Sequence, residues 1–278
     1  MSRVISTTVY LSDELSESAR KKARAWYCEG GLEYEWYDAV YEDFTLICNI
    51  LGVRLKTRIF TTTGGRSYEK ACIWFSGFCC QGDGACFEGL YHYQPGAAQH
   101  IRKHAPQDEA LHRIADELQA IQQRNLWQLQ ADIQHQGRYY HEYSMHITVE
   151  RDSPTGQEAT DDADGVLGDA LRDLARWLYQ QLETQYDWLT SPEAVDEALI
   201  AGGYTFTETG QRFGQTFSSL PSGSFLTFHQ QRTHYADFTL TPARGDFVTP
   251  HACRHLADPA VASAATTLRS DAERHPVC

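Results

Sequence analysis

The sequence predicts an α+β fold: an antiparallel sheet of about four to six strands packed by amphipathic helices, with an irregular C-terminal extension. Three observations predict it. Residues 73–93, IWFSGFCCQGDGACFEGLYHY, place two aromatic-rich runs around Gln81-Gly82-Asp83-Gly84, the pattern of a β-hairpin with an acidic tip. Strict alternation recurs at Trp127, Leu129, Ala131 and Ile133, and again at Tyr143, Met145, Ile147 and Val149, which predicts two paired strands joined by a turn near Gly137. Elsewhere apolar residues return every three or four positions, the spacing of half-buried helices.

The elements follow in order. Val4 to Tyr10 alternates and reads as a first strand; Ser12, Asp13 and Glu14 then place a cap and acids where a helix N-terminus favours them. That helix, with Leu15, Ala19 and Trp26 on its apolar stripe, is expected to run to about Glu29 and stop at Gly30-Gly31. A second helix over about 35–51 buries Tyr37, Val40, Tyr41, Phe44, Ile47, Cys48 and Leu51 and ends at Gly52. A strand over 53–60, a Thr/Gly-rich connection and the 73–93 hairpin come next. Pro95 opens a helical stretch broken near Pro106, after which Leu111, Ile114, Leu118 and Ile121 mark a buried stripe. Beyond the strand pair, a polar loop precedes a long helix over about 166–188 carrying Leu167, Leu171, Leu174, Leu178 and Leu182. Ser191-Pro192 starts a short helix with a capping serine and a proline where its missing N–H is harmless.

Organisation is expected to end near Phe213, giving a domain over 1–213 and an extension over 214–278 in which FLTFH and ADFTL are the only candidate strands. The extension holds five Arg, no Lys and five acids, so it is formally neutral and the net charge of −13 belongs to the residues before it. That charge disfavours direct nucleic-acid binding, which needs clustered Lys and Arg, and suits a basic protein partner. No apolar run is long enough to cross a membrane, and MSRVISTTVY lacks the apolar region of a signal peptide, so the expected compartment is the cytoplasm of a bacterial host. The eight cysteines have no regular spacing and read as reduced thiols.

Strand parity places candidate chemistry. If 86–93 is one strand, Cys86, Glu88, Leu90 and His92 face one way, and with the polar sides of the later strands they would share a sheet face with Gln130, Asp132, Glu142, Ser144 and His146. Glu88 and His92 meet the minimal requirement for an acid-base pair and are the weak catalytic candidates. The candidate binding set is Gln81, Asp83, Glu88, His92, Asp132, His141, Glu142 and His146, and the acids Asp38, Glu42 and Asp43 form the candidate partner surface. No metal site and no cofactor is expected: Cys79, Cys80 and Cys86 lack the CxxC spacing, and neighbouring residues on a strand point to opposite faces. No GxSxG, Walker or dinucleotide fingerprint occurs.

The segments LSESARKKARAWY, WYDAVYEDF, FSGFCCQGDGACFEG, APQDEALHRIADELQAIQQ, GRYYHEYSMHITVER and LRDLARWLYQQLETQY, in this order, resemble a family of phage- and prophage-borne proteins often labelled antitoxin of a toxin-antitoxin stability system. The resemblance covers about 1–213. It implies a protein that binds and neutralises another, a toxin or host defence factor, and it brings no catalytic residue. Cys79 and Cys80 stand where an aromatic and a small residue are expected in that family. The alternatives are an enzyme acting on a nucleotide or similar small molecule through Glu88 and His92, and a DNA mimic with acids in two phosphate-like rows.

Overall fold

The structure, a computed structural model, describes residues 6–30, 32, 35–61 and 65–214. The expectations for 215–278, including both short strands, lie outside the described residues, as does the beginning of the first expected strand. Residues 6–9 are not a strand, and Tyr10 instead forms an isolated bridge with Phe206. Helices and antiparallel strands otherwise follow the expected order, and the fold is α+β.

The first helix starts later than the sequence suggests. Ser12–Glu14 form a 3₁₀ turn, and α1 spans Glu17–Gly30. Arg20 is the reason: its guanidinium donates to the carbonyls of Ser12, Asp13 and Leu15, and Leu15 itself is extended at ψ 149°. These carbonyls are therefore satisfied without a continuous helical ladder. α2 spans Asp38–Leu51 and closes on Gly52, whose φ of +89° suits a residue without a Cβ.

Two stretches expected to be single strands each break once, and the stretch expected as a Thr/Gly-rich connection running into the hairpin contributes a strand of its own, with a break at Cys72. Residues 53–61 become β1 (Val53–Leu55) and β2 (Thr57–Thr61); residues 67–75 become β3 (Ser67–Ala71) and β4 (Ile73–Phe75); residues 85–92 become β5 (Ala85–Phe87) and β6 (Gly89–His92). The breaks fall at Lys56, Cys72 and Glu88, where each chain exchanges one partner for another: β1 pairs with β6, β2 with β3, and β4 with β5. The three break residues hydrogen-bond in a ring. Lys56 N–H donates to Glu88 O at 2.9 Å, Glu88 N–H to Cys72 O at 2.9 Å, and Cys72 N–H to Lys56 O at 2.8 Å. The backbone groups of this junction are thus paired with one another rather than left unsatisfied where the ladders part.

From the junction, β1 and β6 continue into a four-stranded sheet of order β1-β6-β7-β8, with β7 at Leu129–His135 and β8 at Met145–Arg151. α3 (Ala97–His104), α4 (Glu109–Arg124) and α5 (Ala163–Leu189) complete the main core, in which the leucines and isoleucines expected on the stripes of α4 and α5 are buried. Polar side chains pin these layers. Asp108 caps α4 by accepting from Leu111 N–H at 2.9 Å, and its second oxygen accepts from the Trp177 indole of α5 at 2.8 Å. The buried Gln122 amide donates to Leu129 O and accepts from Leu129 N–H, standing in for a strand neighbour where β7 begins.

The strand expected to start at Trp127 starts two residues later. Leu126 and Trp127 take φ of 55° and 63°, a left-handed path that costs L-residues about 1–2 kcal/mol each. The path turns the chain from α4 into β7, with Trp127 laid on Tyr93 at 4.5 Å between ring centroids. Tyr143 also leaves the expected pattern. Residues Glu142–Ser144 form a 3₁₀ turn, leaving Tyr143 exposed and making Met145 the first residue of β8.

A second, smaller core joins Leu15, Ala19 and Ala23 of α1 to Val195 and Leu199 of α6 (Pro192–Ala201) and to Phe206. Arg24 clamps it by a two-pronged bond to Asp196, at 2.8 and 2.6 Å.

Two stability tests follow. A Cβ on Gly52 would lie 2.1 Å from His92 O, so Gly52→Ala should cost roughly 2–4 kcal/mol in urea unfolding. Gly156→Ala, with φ +68° but open space around it, should cost only about 1 kcal/mol. Asp196 is held below the usual carboxylate range by its bond to Arg24. Its stabilisation is therefore present above the unfolded-state value and lost as pH falls through the depressed folded value. Asp196→Asn should remove about 1–2 kcal/mol at neutral pH and flatten the acid limb of the stability–pH profile.

Candidate functional site

The expected polar sheet face exists, with a different membership. Register puts His92, Gln130 and Glu150 in one row, Leu90, Asp132 and Thr148 in the next, and Gln134 beside His146. Glu142 and Ser144 are not on it, because they lie in the 3₁₀ turn before β8. Cys86 is not on it either. It belongs to β5, is fully buried, and its thiol is pushed up to about 12 by burial.

Glu88 and His92 are not assembled as an acid-base pair. They stand four strand positions apart, about 13 Å at roughly 3.3 Å per residue. The Glu88 carboxylate is instead met by Arg58 at 3.4 Å and by the His135 N–H at 3.3 Å. Asp132 is similarly engaged: Lys56 at 2.8 Å and Gln134 at 2.5 Å hold it below the usual carboxylate range. His92 and His146 are exposed near opposite ends of the face.

The other binding candidates gather at the hairpin end. β4 and β5 pair as a hairpin, but they are joined by a nine-residue loop, 76–84, rather than a tight turn at 81–84. Ser76 organises it, donating to Tyr140 O and accepting from Gly84 N–H, while Gly84 packs so closely on His141 that a Cβ would fall 2.9 Å from its ring. Asp83 closes the tip by accepting from the N–H groups of Cys79 and Cys80, and Gln81 is exposed. Cys79 and Cys80 sit in this loop, not on a strand. Their sulfurs are 3.6 Å apart instead of on opposite faces. Glu142 is buried between His141, at 2.9 Å, and Arg176 of α5, at 3.3 Å, where it serves to anchor the turn.

A groove beside the junction was not visible in the sequence. The β2–β3 ribbon stands out from the junction and faces α2 across a groove of about 520 Å³. Arg58 and Phe60 of β2 lie opposite Lys70 and Tyr68 of β3, so all four share the ribbon face that lines the groove. Tyr37, Tyr41, Trp74 and Phe75 complete an aromatic lining, and burial pushes the Tyr41 phenol well above its ordinary value. Arg58 lies 4.9 Å from the Trp74 ring centre, and Trp74 in turn stacks on Tyr140 at 6.0 Å.

Two of the three partner-surface acids line this groove. Asp38 and Glu42 are one helical turn apart on α2 and share its groove side. Asp43, a further 100° around the helix, is 3.1 Å from His104 of α3, so the three acids are not one surface. Desolvation and the like charges of Glu35 and Glu42 raise the Asp38 carboxyl above its ordinary value, although Lys70 opposes them. A positively charged visitor would relieve that repulsion. The signal for the groove was latent in the Thr57–Ala71 segment, whose Arg58/Phe60 and Tyr68/Lys70 alternations match only once the ribbon register is known.

A family described as a domain of unknown function (DUF8835) matches residues 36–192. The match spans α2 to the start of α6, hence the main core, the junction and both walls of the groove. No curated protein and no solved structure matches the chain.

The Arg58–Glu88 contact is long and the Arg58 side chain is 58% exposed, so the pair is a weak one. A double-mutant cycle with Arg58→Ala and Glu88→Gln, read by urea unfolding, should give a coupling energy of about 0.5 kcal/mol and no more than about 1. Arg58 would then be available to a ligand in the groove.

Proposed function

The chain belongs to the DUF8835 family; from the resemblance of its segments to phage- and prophage-borne proteins, we propose that it is a phage- or prophage-encoded protein that binds and neutralises another protein, antitoxin-like or directed against a host defence factor. The docking surface in this reading is the groove between α2 and the β2–β3 ribbon. Its occupant is an extended segment of the partner that brings a Lys or Arg to Asp38 and Glu42 and an apolar side chain to Tyr41, Phe60 and Tyr68.

One observation carries the reading: the groove sets two carboxylates, one of them with a raised pKa, beside a continuous aromatic lining. Aromatic faces next to acids favour a cationic side chain twice, through the ring quadrupole and through charge. The acidic excess of the sequence adds a long-range attraction for a basic partner. The enzyme alternative loses its acid-base pair to the separation of Glu88 and His92. The DNA-mimic alternative is weakened because Glu88, Asp132, Asp162, Asp173 and Asp196 each already hold a basic partner.

The test begins with affinity capture of a partner from a bacterial host lysate, identified by mass spectrometry, and proceeds to calorimetric titration. Asp38→Lys with Glu42→Lys should weaken binding by about tenfold or more, roughly 1.4 kcal/mol. Asp43→Lys should change it by less than about twofold, and wild-type binding should weaken with added salt and on acidification toward the raised pKa of Asp38. Equal effects of the two charge reversals, or none from either, would rule out the groove.

A further inference from the structure

The loop that closes the β4–β5 hairpin brings two thiols and a carboxylate together, although nothing in the groove reading uses them. We propose that Cys79, Cys80 and Asp83 form a binding site for a thiophilic divalent cation of the zinc class, held by both thiolates and one carboxylate oxygen.

The geometry suits that ion. A tetrahedral centre with metal–sulfur bonds of about 2.3 Å places its two sulfurs about 3.8 Å apart. The Cys79 and Cys80 sulfurs are 3.6 Å apart, and one ligand atom from each of the three residues lies within 4.8 Å of the others. Adjacent cysteines on a strand could not do this. The turn makes it possible, because the Asp83 Oδ2 accepts from the Cys79 and Cys80 N–H groups at 2.9 and 2.7 Å and fixes both residues against one carboxylate. A carboxylate has lone pairs beyond the two that these bonds use, so Asp83 can keep them and still meet a cation.

The setting allows a cation to enter. Both thiols are exposed, whereas Cys48, Cys72 and Cys86 are buried and Cys28 is half-buried. Tyr179 of α5 ties the loop down by donating to Gly77 O at 2.9 Å. Three protein ligands leave the fourth tetrahedral position to water or to a donor from another molecule. Binding replaces two thiol protons, which pass to solvent, so affinity rises with pH. Both metal–sulfur bonds form without any change of oxidation state.

The experiment titrates Zn²⁺ against a competing chelator, and Cd²⁺ by its thiolate charge-transfer absorbance, into the full chain kept reduced. Cys253 and Cys278 are changed to serine beforehand to remove their thiols from the readout. One ion per chain should bind. Cys79→Ser and Cys80→Ser should each weaken binding by about tenfold or more, and Asp83→Asn, which keeps an acceptor for the two N–H groups, should weaken it while leaving the circular dichroism spectrum unchanged. Cys28→Ser should have no effect. Binding that survives in the Cys79→Ser/Cys80→Ser double variant, or a parent chain that binds no more ion than that variant, would overturn the proposal.

Discussion

The ring of three backbone hydrogen bonds among Lys56, Cys72 and Glu88 is the constraint on which the arrangement of the β-structure depends. Each bond serves two strands, because each residue donates to one neighbour and accepts from the other. Slipping one strand by a residue would break its own ladder and both ring bonds that it shares, and would turn its side chains to the opposite face. Three ribbons consequently leave one point in fixed directions. One enters the main sheet, one folds back as the hairpin toward α5, and one stands clear as the wall of the groove. Gly89 is suited to this crossing, since a Cβ there would lie 2.9 Å from Arg54 O.

Charge is distributed along the same lines. Around the junction, Lys56 holds Asp132 and Arg58 meets Glu88, so carboxylates that looked available in the sequence are engaged with neighbouring strands. Arg176 does the same for Glu142, and Arg24 for Asp196. The Arg176–Glu142 and Arg24–Asp196 pairs are partly shielded and hold elements in place, whereas Arg58–Glu88 is long and exposed. The groove carries Asp38 and Glu42 side by side on α2, with Glu35 nearby bonded to Lys70, and the Asp38 carboxyl is raised first by desolvation and then by its like-charged neighbours.

The family match and the two cores divide the chain in the same way. Residues 36–192 contain the buried residues of the main core from Phe44 to Leu182, whereas the second core draws on α1, α6 and Phe206, which lie largely outside the match. The groove, the junction and the Cys79-Cys80-Asp83 loop all fall within it.

Local periodicity was enough to reveal the helices, the β7–β8 pair, the β4–β5 hairpin and the α+β class, because burying one face leaves a repeat of 3.6 or 2 in the sequence. The Ser191-Pro192 start and the Gly52 stop were legible for the same local reason: caps depend on groups within one turn. The breaks at Lys56, Cys72 and Glu88 left no such trace, since a change of partner alters neither the extended backbone nor the alternation of side chains. Strand parity carried across Glu88 therefore puts Cys86 with Glu88 and His92, although Cys86 lies buried in β5. The thiols of Cys79 and Cys80 were separated on paper by a strand that is a loop in the fold, and Asp38, Glu42 and Asp43 were grouped by proximity in sequence although a helix turns 100° at each step. The sequence by itself determined which faces are apolar and the order and type of most of the elements. The tertiary structure alone decided which polar residues meet, because those meetings depend on long-range strand pairing that no local pattern records.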